Sequence, residues 1–230
     1  MKHAVQLIDV SKVYKSGSNE WVALRDVNLN VEEGEFIALV GPSGSGKTTM
    51  LNIIGLMDSP TEGHVILEGK DVTYLSEKEK SEFRNKYIGY VFQSYNLISF
   101  LTVYQNVELP LIISGISKKE REKIVEEVLN LVPGIYELRN KKPTQLSGGQ
   151  QQRVAIARAL VTKPKLILAD EPTANLDVNT GKAIVDLFKK IKDEMGITIV
   201  MATHDLEMLK NCDRIVYIRD GKIERIEDKL

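Results

Sequence analysis

Gly41-Pro42-Ser43-Gly44-Ser45-Gly46-Lys47-Thr48 is the stretch on which the reading of this sequence turns. It has the glycine spacing, lysine and terminal hydroxyl of a phosphate-binding loop, and it lies between the apolar run Phe36 to Val40 and a helical pattern from Thr49 to Ile54. Each residue type has a physical reason. Glycines let backbone N–H groups converge on an anion at a helix N-terminus, Lys47 adds a mobile positive charge, and the Thr48 hydroxyl can ligate Mg²⁺.

Upstream of the loop, Val27, Leu29 and Val31 alternate with polar residues, while Ser16-Gly17-Ser18-Asn19 and Glu32-Glu33-Gly34 read as turns. This predicts an antiparallel β layer. Downstream, Ser117 to Val132 carries Ile124, Val125, Val128, Leu129 and Val132 on one helical face, so Thr102 to Lys142 reads as a helical subdomain, closed by Pro133-Gly134 and Pro143. An α/β pattern then resumes with a helix from about Gln150 to Val161 and a strand from Leu166 to Ala169. Next comes a helix capped by Asn179-Thr180 and stopped by Gly196, with Ile184, Leu187, Phe188, Ile191 and Met195 as its apolar face. Strand Thr198 to Ala202 follows, and Asp220-Gly221 marks a hairpin between Arg214 to Ile218 and Lys222 to Ile226.

The expected fold class is α/β: a P-loop NTPase core with a mostly parallel sheet, an N-terminal antiparallel β layer and an inserted helical subdomain. It spans 1–230 as one domain, with the core at about 1–95 and 143–230 and the helices at about 96–142. A 43% hydrophobic content supports a core of that size. Lys plus Arg at 31 against Asp plus Glu at 32 leaves a net charge of -1, so no global positive field exists to hold nucleic acid. Cys212 is the one cysteine, which excludes an intramolecular disulfide and suits a reducing compartment. The segment Met1-Lys2-His3-Ala4-Val5-Gln6 lacks a signal-peptide core, and no run approaches the ~18 apolar residues of a spanning helix. Membrane contact is therefore expected through another chain.

Leu166-Ile167-Leu168-Ala169-Asp170-Glu171 is an apolar strand delivering two adjacent carboxylates to its C-terminal end, where open α/β sheets place ligands. Neighbouring strand residues point to opposite faces, so the two acids should differ in task, one near a metal and the other beside an attacking water. Leu146-Ser147-Gly148-Gly149-Gln150 opens a second helix with free N–H groups, a second anion site for which one phosphate loop has no use alone. Isologous pairing of two copies would give each such site the other's nucleotide.

With these motifs in their order and spacing, the chain resembles the nucleotide-binding domain of ABC transporters from Val5 to about Ile226. The resemblance implies ATP and Mg²⁺ as ligands. It makes Gly41, Pro42, Ser43, Gly44, Ser45, Gly46, Lys47, Thr48 and the adjoining Thr49 the nucleotide loop (Walker A), with Asp170 (Walker B) and Thr48 at the metal and Glu171 as catalytic base. It also implies that Tyr14 stacks on adenine, that Gln93 senses Mg²⁺ and the attacking water, and that His204 reaches the γ-phosphate. Ser147, Gly148, Gly149, Gln150 and Asp177 would act in trans across an ATP-dependent homodimer. Asn175-Leu176-Asp177 resembles the loop that crosses that interface, although Ala174-Asn175 stands where many relatives have Gly or Ser. Leu51 to Gly55, Tyr95-Asn96-Leu97 and Asn106 to Leu111 resemble the lipoprotein-releasing, macrolide-export and cell-division subgroup. The implied setting is the inner, cytoplasmic face of the membrane, bound to an integral permease on a separate chain.

Three other readings compete with this one. A regulatory subunit of the cell-division kind would cycle ATP without moving a solute. A DNA or ribosome factor would carry a long coiled-coil insertion or a second cassette, neither of which appears in this sequence, and a P-loop GTPase or kinase fits poorly because the sequence has no Asn-Lys-x-Asp guanine reader and Leu146 to Gln150 would be left without a role.

Overall fold

The computed structural model describes residues 2–229; Met1 and Leu230, the two ends of the single-domain reading, lie outside the described residues. Strands β1 (His3–Ser16) and β2 (Asn19–Glu32) open the chain as a long antiparallel hairpin. Their inward residues Val5, Leu7, Val27, Leu29 and Val31 are all buried, as period-2 alternation requires, and Val10 joins them across an irregularity of β1 between Leu7 and Val10. After β3 (Phe36–Val40), β4 (Glu62–Leu67) and the short β5 (Lys70–Asp71) return to this layer and give it the order β2-β1-β4-β5.

The second sheet is built from β3, β6 (Ile88–Val91), β7 (Leu166–Asp170), β8 (Thr198–Thr203), β9 (Arg214–Arg219) and β10 (Lys222–Asp228), in the order β10-β9-β3-β8-β7-β6. Its pairings are parallel except for the terminal β9–β10 hairpin. That hairpin turns on Asp220 (φ 49) and Gly221 (φ 76), both in the left-handed region that a two-residue turn of this kind needs. Strands β3 and β8 are buried along their whole length, as expected of a sheet covered on both faces.

The described residues hold six α-helices, α1 (Lys47–Ile54), α2 (Glu77–Tyr87), α3 (Val103–Ile113), α4 (Lys118–Leu131), α5 (Gly148–Leu160) and α6 (Val178–Met195), and three short 3-10 turns. Helix α4 buries Val125, Val128 and Leu129, the face marked out by its pattern. One core joins α3 to α6 with the sheet, and a second lies between the sheet, α1 and the β layer.

Two details of α6 correct the sequence reading. Its cap is Asp177, not Asn179-Thr180: Asp177 has extended backbone, and its carboxylate accepts from the Thr180 N–H at 3.0 Å and the Thr180 hydroxyl at 2.6 Å. Asn179 is already inside the first turn. Met195, on the last turn, is 40% exposed, so the apolar stripe ends at Ile191.

The strand register positions the site. Val40 pairs with Thr203, Ala202 with Asp170, and Ala169 with Val91, so four parallel strands end along one edge. Removal of the α6 cap tests the helix start: Asp177→Ala should lower unfolding free energy by about 1 kcal/mol, whereas Asn179→Ala should stay within about 0.5 kcal/mol of the parent in urea denaturation.

Candidate active site

Helices α2, α3 and α5 begin with reciprocal capping boxes, Ser76 with Glu79, Thr102 with Gln105 and Ser147 with Gln150. Helix α1 begins differently. Its first position outside the helix is Gly46, at φ 107, with no side chain to satisfy the N–H groups of the first turn. Such a helix start is open to an anion. Gly46 is also confined, since a Cβ there would lie 2.8 Å from the Ala23 carbonyl and 2.9 Å from Leu24, against the β layer. Ser45 Oγ is buried in the same loop without a hydrogen-bond partner among the described residues, so the loop holds an unmet polar atom.

Lys47 is only 6% exposed. Its Nζ donates to the carbonyls of Gly41 at 2.8 Å and Pro42 at 3.0 Å, and lies 3.7 Å from Glu171 Oε1. The ammonium is thus folded over the loop.

The two acids at the end of β7 take different partners. Asp170 Oδ1 accepts from the Thr48 hydroxyl at 3.2 Å, while Glu171 Oε2 accepts from the His204 backbone N–H at 3.3 Å and lies 2.9 Å from His204 Nδ1. Glu171 stands at φ 46, a left-handed conformation that strains a side-chain-bearing residue, and its N–H donates to the Ala202 carbonyl at 2.9 Å. Burial pushes the Asp170 carboxyl above its ordinary range, with the neighbouring Glu171 charge adding to the rise and the Thr48 hydrogen bond opposing it.

A cavity of about 670 Å³ gathers Pro42, Ser43, Gly44, Gly46, Lys47, Thr48, Thr49, Gln93, Glu171 and His204. Gln93 follows β6, and the Asn175 amide donates to its backbone carbonyl at 3.2 Å, so Asn175 bridges two loops. Ser147 to Gln150 and Asp177 lie outside this lining, with Ser147 exposed. At the outer end the wall is Trp21 rather than Tyr14. Trp21 is the cross-strand partner of Tyr14, a pairing legible only once the hairpin register is known.

A family model described as ABC transporter matches residues 24–174. The chain belongs to the ABC transporter family. An uncharacterised ABC transporter ATP-binding protein of Thermotoga maritima is 52% identical over 227 residues, covering 99% of this chain and 96% of that one. The cassette MJ0796 of Methanocaldococcus jannaschii, solved as a dimer in a post-hydrolysis state bound to ADP and Pi, superposes with a TM-score of 0.90 at 49% identity, covering 97% of this chain and 98% of that one. The macrolide export ATP-binding/permease protein MacB of Rhodopirellula baltica is 44% identical over 221 residues, 95% of this chain but 32% of its own length. The fold is that of an ABC ATPase, with the P-loop core, β layer and helices expected from the sequence.

A carboxyl held above its ordinary range destabilises the fold where it is charged, so this ABC ATPase loses that part of its stability as pH rises through the carboxylate range. Asp170→Asn should therefore raise the nucleotide-free thermal midpoint at neutral pH by up to about 4 °C, and the gain should vanish near pH 3. Thermal scans of both proteins at the two pH values check the sign.

Proposed function

We propose that this chain is the ATP-hydrolysing subunit of a membrane transporter, and that two copies close around two ATP molecules. The observation that carries the reading is the division of phosphate-binding elements. The open start of α1 lies inside the cavity, whereas the second glycine-rich helix start lies outside it, with Ser147 exposed at its cap. Ser147 Oγ accepts from the Gln150 N–H at 3.3 Å, which leaves its O–H free to donate to a phosphate brought by a partner. The dimeric form of MJ0796 supports the same assembly.

In the closed pair, backbone N–H groups from Gly41 to Thr49 and the Lys47 ammonium hold the β- and γ-phosphates, and Ser147, Gly148, Gly149 and Gln150 of the second copy cover the γ-phosphate, with Asp177 beside them. The aromatic end at Tyr14 and Trp21 receives the base. Glu171 accepts the proton of a water as its oxygen bonds to the γ-phosphorus and the bond to the β-phosphate oxygen breaks, releasing ADP and phosphate. His204 and Gln93 orient that water and the γ-phosphate.

Thr48 and Asp170 offer hard oxygen donors that suit Mg²⁺, with Gln93 nearby in the same cavity. No group of three or more His, Cys, Asp or Glu side chains able to hold a metal exists among the described residues, so such an ion would complete its shell from phosphate and water oxygens. Its chemistry there is charge neutralisation of the phosphates.

A further cavity of about 240 Å³ is lined by Tyr90, Phe92, Asn96, Pro110 and Arg158, beside the loop that carries Gln93. It would seat a helix of the permease, so that closure becomes motion in the membrane. No helix among the described residues is long and apolar enough to cross a membrane, in keeping with a subunit held at the inner face through its permease. Similarity to MacB and the Asn106 to Leu111 motif support an exporter of the macrolide-export or lipoprotein-release type.

Glu171→Gln should bind ATP, lose hydrolysis by about 10²- to 10⁴-fold and double its mass by light scattering when ATP and Mg²⁺ are added. Lys47→Ala should lose tight nucleotide binding. Normal hydrolysis by Glu171→Gln would refute the base assignment, and an unchanged mass would mean that the permease holds the halves together.

A further inference from the structure

Gln152, in the second turn of α5, is fully buried, yet neither its Nε2 nor its Oε1 has a hydrogen-bond partner among the described residues. An amide buried with both ends unpaired is costly, and the phosphate chemistry makes no use of this side chain. Its neighbours follow from the helix. Helical side chains lean back over the preceding turn, so Gln152 covers the ground beside Gly148, four residues earlier. A Cβ on Gly148 would lie 2.8 Å from the Tyr95 hydroxyl, 3.2 Å from the Leu176 side chain and 3.7 Å from the Asn175 carbonyl. Neither that hydroxyl nor that carbonyl has a hydrogen-bond partner among the described residues.

Two loops therefore meet over this turn of α5. The first presents Gln93 and is pinned by Arg158 of the same helix, whose guanidinium donates to the carbonyls of Tyr95 at 2.8 Å and Asn96 at 2.6 Å. Tyr95 and Asn96 stand at φ 61 and φ 49, left-handed conformations that such bonds can hold. The second loop, Asn175 to Asp177, touches the first through the bond from the Asn175 amide to the Gln93 carbonyl.

We propose that Gln152 is a positioning residue for ATP hydrolysis: as two copies close around nucleotide, its Oε1 accepts from the Tyr95 hydroxyl and its Nε2 donates to the Asn175 carbonyl. The bridge fixes the Gln93 loop against the loop that faces the second copy, and it rests on the reading of a closing, ATP-hydrolysing pair given above. Before closure the amide is unpaired, and after closure it is satisfied, so one side chain disfavours the open state and favours the closed one.

Methionine is close to glutamine in length and helix propensity but carries no amide. In the full-length protein, Gln152→Met should raise the nucleotide-free thermal midpoint by about 3 °C, because an unpaired polar group leaves the core. The same variant should lower kcat about tenfold and keep KM for ATP within about twofold of the parent. A residue that only packed the core would lose stability and activity together. Tyr95→Phe should reproduce the loss in kcat, and the double variant should lose no more than either single one. A nucleotide-free midpoint lowered in Gln152→Met would overturn the proposal, since the amide would then be satisfied before closure. Parent-level kcat in Tyr95→Phe would overturn it too, and this half-buried position reports even if Gln152→Met does not fold. Absence of hydrolysis in the parent protein itself is a different failure: it would bring down the ATP-hydrolysing reading, and the bridge with it.

Discussion

Hydrogen bonds that lock β3, β8, β7 and β6 into one register decide where every reacting group stands. Because Val40 faces Thr203, Ala202 faces Asp170 and Ala169 faces Val91, the phosphate loop, His204, the two acids and the Gln93 loop all leave the sheet at one edge. A slip of one residue in β7 would exchange the faces of Asp170 and Glu171. The acid now bonded to Thr48 would then turn toward His204. Burial of these strands on both faces makes such a slip expensive, so catalytic geometry and core packing are one constraint.

Within that frame, the free protein already links its charged groups. Lys47 shares its ammonium between two loop carbonyls and Glu171, and Glu171 shares its other oxygen with His204. An incoming triphosphate competes for Lys47, which loosens its hold on Glu171. The left-handed backbone at Glu171 fits such a residue, since strained conformations persist where surrounding structure over-determines them.

The sequence revealed most where chemistry is contiguous. The phosphate loop, the acids of β7 and the glycine-rich start of α5 each carry their meaning in fewer than ten residues, so their strands and helices followed. Elements whose cause lies elsewhere in the chain were less legible. Strands β4 and β5, from Glu62 onward, join a layer begun at His3, and α2 buries only Lys80 and Phe83, too few to show a helical period. The start of α6 was misread because Asp177, Asn179 and Thr180 are all capping types, and only backbone angles separate them. Trp21 is not legible as a wall of the cavity in the sequence, because its partner Tyr14 lies across a turn, where register and not composition brings the two rings together.

The hydrogen bond from Asn175 to the Gln93 carbonyl joins the loop proposed to face a second copy with the loop that reaches into the nucleotide cavity and borders the groove proposed for the permease. A rearrangement at either loop is therefore transmitted to the other without passing through the sheet. In the closed pair proposed above, a loop lying against one copy would thus be tied to the loop that reaches the nucleotide of its own cavity.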